Sequence, residues 1–361
     1  MGLSSRDAQV TEQQVLNALS QVQEPELGGD LVSRRMIKDV QIAGGTVSFT
    51  VELTTPACPL KDQIRAEAEA AVAVLPGVEA VVLTFSANTR HHAGLPEQAP
   101  IPGVSNVLAV AAGKGGVGKS TVAVNLAVAL AQEGASVGLL DADVFGPSLP
   151  LMLGVRGQPQ ATQNEQGEAM IVPLEGHGIK LMSVGFMIDE SQPVIWRGPM
   201  ASQLLRQFLY NVAWAPLDYL IVDMPPGTSD IALTLAQSLP LTGSLIVTTP
   251  QAVATIDVVK AMEMFKKVNV PLLGIVENMA YFIAPDTGTR YDIFGSGGAE
   301  RLSTQLGVPL LGQIPLGMAV RAGGDSGAPA VMSEAPDAYA ATFRQMARQL
   351  AARISVLKFV A

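Results

Sequence analysis

The sequence predicts an α/β protein. Its longer C-terminal part should fold around a mostly parallel sheet flanked by helices, preceded by a smaller N-terminal α/β domain. Three observations carry that expectation. From residue 106 onward, apolar runs of strand length alternate with helix-forming stretches, the pattern of parallel strands joined by right-handed crossovers. Before it lies a polar stretch with Pro96, Pro100, Pro102 and Gly103, a composition that marks a linker. A length of 361 residues also suits two domains better than one. The expected boundaries are 1–86 for the small domain, 87–105 for the linker and 106–361 for the large domain.

Within the small domain, a helix is expected over Gln13–Val22, then a turn at Glu24–Gly29. Alternation at Val47-Ser48-Phe49-Thr50-Val51 reads as a strand. The Ala- and Glu-rich stretch Lys61–Leu75 favours helix, Pro76-Gly77 stops it, and Val78–Phe85 reads as a final strand. In the large domain the strands are expected at Val107–Ala112, Val137–Leu140, Leu217–Asp223, Ser244–Thr248 and Leu272–Val276. The amphipathic C-terminal stretch Tyr339–Val360 fits a helix packed on the sheet, with a membrane-surface helix as the alternative.

Bulk composition excludes several classes. With 48% hydrophobic and 15% charged residues the chain can bury a large core. No apolar run reaches the roughly 18–20 residues that cross a bilayer. The first residues, MGLSSRDAQV, lack the apolar stretch of an export signal. Cys58 is the single cysteine, so no intrachain disulfide can form, which suits a reducing compartment; the expected location is cytoplasmic, without membrane attachment. A net charge of −9 argues against nucleic acid as a partner.

The segment Gly113-Lys114-Gly115-Gly116-Val117-Gly118-Lys119-Ser120 satisfies G-x-x-x-x-G-K-[ST]. It lies between an expected strand and the helix-forming stretch Thr121–Gln132, as a phosphate-binding loop should. Glycines let successive backbone N–H groups turn toward a phosphate, and the helix N-terminus adds a favourable dipole. The expected ligand is ATP with Mg²⁺, held by Gly113 through Thr121, with Lys119 on the β- and γ-phosphates and the Ser120 hydroxyl on the metal. Lys114 is a second lysine that the general pattern does not require; spacing alone reads it equally as a solvated surface residue. Asp141 and Asp143 follow one apolar strand and Asp223 ends another. Open parallel sheets bind ligands at such strand ends. A carboxylate there can hold Mg²⁺ or its waters, or else cap a helix.

Taken together, these stretches resemble the Mrp/ApbC-type iron–sulfur cluster carrier ATPases, deviant Walker-A relatives of MinD and nitrogenase iron protein. The likeness runs through GKGGVGKST, DADVFGPSLPLMLG, VIWRGPM, LDYLIVDMPPGTSD, LTLAQSLPLTGSLIVTTPQ, LLGIVENM, YDIFGSGG and LGQIP. LTTPACPLKD resembles the small Fe–S assembly domain often fused to them. The resemblance implies a slow ATPase that works as a homodimer in iron–sulfur cluster assembly or transfer, with assembly or recipient proteins as partners. It implies that Lys114 reaches the partner subunit's phosphates, that Asp143 orients the attacking water, and that Asp223 is the Walker-B carboxylate. Asn278 would contact adenine; as a bare residue it also fits a strand-end turn.

The pattern breaks where the family carries C-x-x-C. Ala284 and Thr287 stand at those positions, and neither supplies the soft thiolate that a cluster takes. A dimer of this chain holds two cysteines, both Cys58, against four in the usual site. Asp286 offers only a hard oxygen. His91 and His92 read as solvated linker residues or metal ligands, and His177 has no partner pattern. Pro59 is expected at the first position of the Lys61 helix, which would place Cys58 near its N-cap as a reactive thiol and a possible transient cluster ligand; a buried core cysteine is the other reading. Ser229 stands where the family commonly has Gly. Trp196 and Arg197 fit an interface anchor, and Trp196 equally fits core packing. Two other functions remain consistent with these residues: a nucleotide-switched scaffold that holds no cluster, and a MinD-like positioning ATPase.

Overall fold

A computed structural model describes residues 10–25, 28–87, 99–164, 166–188, 198–333 and 338–360. The chain divides into two units, one within residues 1–90 together with 351–361, the other within 91–350.

The first unit contains α1 (Glu12–Leu19), β1 (Ile37–Ala43), β2 (Thr46–Leu53), α2 (Lys61–Ala73) and β3 (Ala80–Ala87). Thr11 caps α1 through a reciprocal capping box with Gln14. The strands lie in the order β1-β2-β3, antiparallel then parallel. On β2 the alternation is complete: Val47, Phe49, Val51 and Leu53 are all buried. They pack with Val15 and Leu19 of α1 and with Ile64, Ala68 and Val72 of α2. The expected strand and helices are present, and β1 is an addition. Its alternation is broken by Asp39 at φ 52° and by a register shift between Lys38 and Gln41.

The second unit runs β4 (Val107–Ala112), α3 (Lys119–Gln132), β5 (Val137–Asp141), α4 (Leu149–Met152), β6 (Gln160–Gln163), β7 (Ala169–Val172), β8 (Leu174–Gly176) and β9 (Ile179–Met182). A 3₁₀ turn (Val184–Phe186), α5 (Gly198–Tyr210), β10 (Tyr219–Asp223), α6 (Asp230–Ser238), β11 (Gly243–Thr248) and α7 (Ala252–Lys267) follow. The unit continues with β12 (Leu272–Ile283), β13 (Arg290–Tyr291), α8 (Gly298–Leu306), β14 (Leu310–Leu316), α9 (Met318–Ser326) and the start of α10 (Ala338–Val360). The main sheet has the order β13-β12-β11-β4-β10-β5-β9-β8, with β14 paired to β12. Its pairings are parallel except at β13 and β8. Every residue of β4, β5, β10 and β11 is buried, as in a sheet covered on both faces, where strands become continuous apolar runs.

The C-terminal amphipathic stretch forms α10 and buries Phe343, Met346 and Leu350. Met346 lies so close to Gly312 of β14 that a Cβ there would meet its sulfur at 2.6 Å. No helix among the described residues is long and apolar enough to cross a membrane.

What positions the site is register. Asp223, the last residue of β10, stands opposite Val110 of β4 on one side and Asp141 of β5 on the other. Two strand-end carboxylates are thereby brought beside the loop that leaves β4.

Candidate nucleotide site

The loop from Gly113 to Gly118 is shaped by what cannot fit there. A Cβ on Gly113 would overlap the backbone of Asp257 and Val258 in α7, and one on Gly118 would overlap the Asn278 carboxamide. Gly118 also has φ 81°, a left-handed conformation that glycine adopts without strain. Gly115 and Gly116 are exposed, with open space where a side chain would stand. Gly118 occupies the N-cap of α3 and offers no side chain to its first N–H groups. Those donors therefore point outward, together with the positive end of the helix dipole, at one place. Asn278 braces the loop from β12, its Nδ2 donating to the Val117 carbonyl at 2.9 Å.

Lys119 opens α3 with only 6% of its surface exposed. Its Nζ donates to Asp223 Oδ1 at 2.6 Å and to Ser120 Oγ at 3.3 Å. Ser120 Oγ donates to Asp223 Oδ2, also at 2.6 Å. Asp223 is fully buried, so its charge is compensated inside the protein by Lys119. Thr121 is half-buried in the first turn of the same helix. The chain beyond Asp223 is laid against β4: Met224 and Gly227 donate to the carbonyls of Val110 and Ala112, each at 3.0 Å. Ser229 then caps α6 through its side chain, so the departure from Gly gives that helix a good N-cap.

Asp141 and Asp143 differ in setting. Asp141 is 1% exposed and accepts from Ser183 Oγ at 2.9 Å. Burial, with the Asp223 charge adding to it, raises its pKa to about 7, against the opposing effects of Ser183, Lys119 and the Leu149 N–H. Asp143 is half-buried; burial again raises its pKa, with Lys119 opposing and Asp223 adding.

The Asp141 shift has a testable consequence. Between the ordinary carboxylate pKa of 3.8 and about 7, the folded chain holds a proton that the unfolded chain has released. This group's contribution to stability therefore falls as pH rises across that window and stays lost above it. Asp141→Asn is expected to remove that component, so the melting temperature of the variant relative to wild type should improve from about pH 5 to about pH 8. An offset between the two chains that stays constant over this range would contradict the shift.

Lys114 is half-buried beside Gly113 and has no ion-pair partner among the described residues. Cys58 lies elsewhere, in the core of the first unit, 8% exposed. Helix α2 begins at Lys61 with Leu60 as N-cap, so Pro59 precedes the helix and is not its first residue. Cys58 stands two residues before the cap, packed with core side chains, and its carbonyl accepts from Lys61 N at 3.3 Å. Ala284 and Thr287 sit in the turn between β12 and β13, closed by Gly288 N donating to the Ala284 carbonyl at 2.8 Å. His177 directs Nε2 at the carbonyls of Leu153 and Gly327. His91, His92, Trp196 and Arg197 lie outside the described residues. No cluster of His, Cys, Asp and Glu that could hold a metal by itself occurs among the described residues.

Two residues here have structural roles that the sequence does not indicate. One is Asp141, read together with Asp143 as a strand-end carboxylate and here enclosed by the sheet. The other is Glu277, 1% exposed, which accepts from Ala299 N at the start of α8 (2.9 Å) and from Gln313 Nε2 on β14 (2.7 Å).

A glycine loop between a buried strand and an uncapped helix, with a lysine, a hydroxyl and a strand-end carboxylate in contact, defines a P-loop NTPase. Residues 103–351 match the model of the NUBPL iron-transfer P-loop NTPases, and residues 12–83 match that of iron–sulfur cluster assembly proteins. The chain belongs to the NUBPL iron-transfer P-loop NTPase family. It is 53% identical to an iron–sulfur cluster carrier protein of Synechocystis sp., over 97% of this chain and all of that one. It is 42% identical to the iron–sulfur cluster carrier protein of Escherichia coli K12, over 94% of this chain and 91% of that one. Among solved structures, a nucleotide-binding protein from Archaeoglobus fulgidus in complex with ADP is 37% identical, with a TM-score of 0.55, covering 63% of this chain and 88% of that one. The cell division ATPase MinD of Pyrococcus furiosus shares the fold at 24% identity and a TM-score of 0.52, covering 68% of this chain and 97% of that one.

Proposed function

We propose that this chain binds ATP with Mg²⁺ and hydrolyses it slowly as a cytoplasmic homodimer, and that the cycle serves iron–sulfur cluster assembly or transfer. The observation that carries this reading is the contact of Lys119, Ser120 and Asp223 at the open end of α3. Support comes from relatives named as iron–sulfur cluster carriers and from the ADP bound by the Archaeoglobus protein.

The donor set fits magnesium. Ser120 Oγ and Asp223 Oδ2 are hard oxygens 2.6 Å apart, and Mg²⁺ takes one or two such protein ligands alongside phosphate oxygens and water. The ion would neutralise charge on the phosphates. In this reading the N–H groups from Gly115 to Thr121 hold the phosphates, and Lys119 exchanges Asp223 for phosphate oxygens. Asp143 orients the attacking water, and Lys114 acts from the partner subunit. The Asn278 Nδ2 is committed to Val117, so its carboxamide oxygen, an acceptor, would read the adenine amino group.

The cluster is cargo, and this chain offers it little sulfur: Cys58 is its one thiol. A cluster bridging two copies would need Cys58 from both plus external thiols such as glutathione. Anaerobic reconstitution with iron and sulfide is therefore expected to give well under one cluster per dimer, and Cys58→Ser should abolish the remainder. About four tightly bound irons per dimer, indifferent to Cys58→Ser, would overturn this reading.

A second reading, a nucleotide-switched scaffold that never holds a cluster, is favoured by the burial of Cys58. ATP turnover with no iron retained under any condition would select it. The match of residues 12–83 to iron–sulfur assembly proteins weighs against a MinD-like positioning role.

A further inference from the structure

Asp141 is a buried carboxylate that the proposed cycle does not use, yet it holds both ends of the loop that carries Asp143. Its Oδ1 accepts from Asp143 N at 3.3 Å, and its Oδ2 accepts from Leu149 N, the first residue of α4, at 3.4 Å. Between those two amides lie Asp143 itself and Phe145, a residue 59% exposed. The third donor is Ser183 Oγ, 2.9 Å from Oδ2. Ser183 is fully buried, and its hydroxyl accepts in turn from Gly185 N at 3.0 Å. The serine thus gives its one proton to Asp141 and a lone pair to the 3₁₀ turn. The pair meets by register: β5 and β9 run parallel with Leu140 opposite Met182, one residue before each partner.

We propose that Asp141 and Ser183 are a positioning pair that fixes the Asp143 loop and couples it to the turn at residues 183–187. The consequence for turnover rests on the proposed ATPase reading; the hold on the loop does not. Without the Ser183 hydroxyl, Oδ2 keeps only the long bond to Leu149, and the carboxylate that holds both ends of the loop is less firmly fixed. Asp143 then samples positions away from the phosphate site, and small displacements of a positioned group cost large factors in rate. ATP affinity is spared, because it depends on Lys119 and the N–H groups of the loop after β4.

The test uses the full chain with Ser183→Ala, Asp141→Asn and the double variant. Amide hydrogen exchange over residues 142–149 should quicken about tenfold in either single variant, reflecting loss of one buried hydrogen bond. Turnover should fall about tenfold while the ATP dissociation constant stays within about threefold. The double variant should be no worse than Asp141→Asn alone, because both changes act through one contact. Unchanged exchange in both single variants, or losses that add in the double variant, would overturn the proposal. A wild-type chain that binds ATP without turning it over would remove the proposed function, and the exchange measurement would still decide this inference.

Discussion

Lys119→Ala is expected to weaken ATP binding by about two orders of magnitude or more, and to remove hydrolysis with it, through loss of a buried charge-assisted contact. Lys119 is 6% exposed and its Nζ sits 2.6 Å from Asp223, so its charge is held at the site by a buried contact. The substitution has a second effect that must be separated from the first. It leaves Asp223, fully buried, without its compensating charge, which costs about 3–5 kcal/mol of stability when one member of a buried pair is removed. Adding Asp223→Asn to Lys119→Ala neutralises the orphan carboxylate. The double variant should recover much of the melting temperature and none of the ATP affinity. Titration calorimetry on folded Lys119→Ala decides the matter; wild-type affinity would show that phosphate is held some other way.

How much of this was legible in the sequence depended on whether a feature is local. β4, β5, β10 and β11 are buried on both faces, so they appear as mainly apolar runs beginning at Val107, Val137, Tyr219 and Leu245. The loop Gly113–Ser120 is contiguous and carries its chemistry in its spacing. β1 escaped because Asp39 and the adjacent register shift break its alternation. The short β9 was missed too, since four residues set no period. Cys58 does lie near the start of its helix, but Pro59, which suits a first helical position, precedes it: the chain makes one further turn and begins the helix at Lys61. The burial of Asp141 follows from its being the last paired residue of β5, while Asp143, two residues on, has left the sheet. Two aspartates separated by one alanine do not reveal which of them the sheet encloses. Glu277 depends on α8 and β14 returning to β12, a tertiary event with no trace in the residues around it.

Lys114→Ala is expected to leave ATP binding within a few-fold of wild type and to lower turnover roughly 10²–10³-fold, the loss typical of a group that stabilises charge in the transition state. Lys114 is half-buried at the start of the loop and lacks an ion-pair partner among the described residues, which suits a charge reserved for the phosphates. Whether it acts on its own nucleotide or on the partner subunit's is settled by mixing it with Asp143→Ala. In a mixed dimer, the site in the Lys114→Ala subunit keeps its own Asp143 and receives an intact Lys114 from across the interface. The other site has lost both groups. If Lys114 acts in trans, one site in each mixed dimer works, and random pairing of equal amounts should restore roughly a quarter of wild-type turnover. If it acts in cis, each site lacks one group and mixing restores nothing. Sedimentation in ATP, with one parent carrying a size tag, confirms that mixed dimers have formed. Once they have, silence in the mixture assigns Lys114 to its own subunit's site.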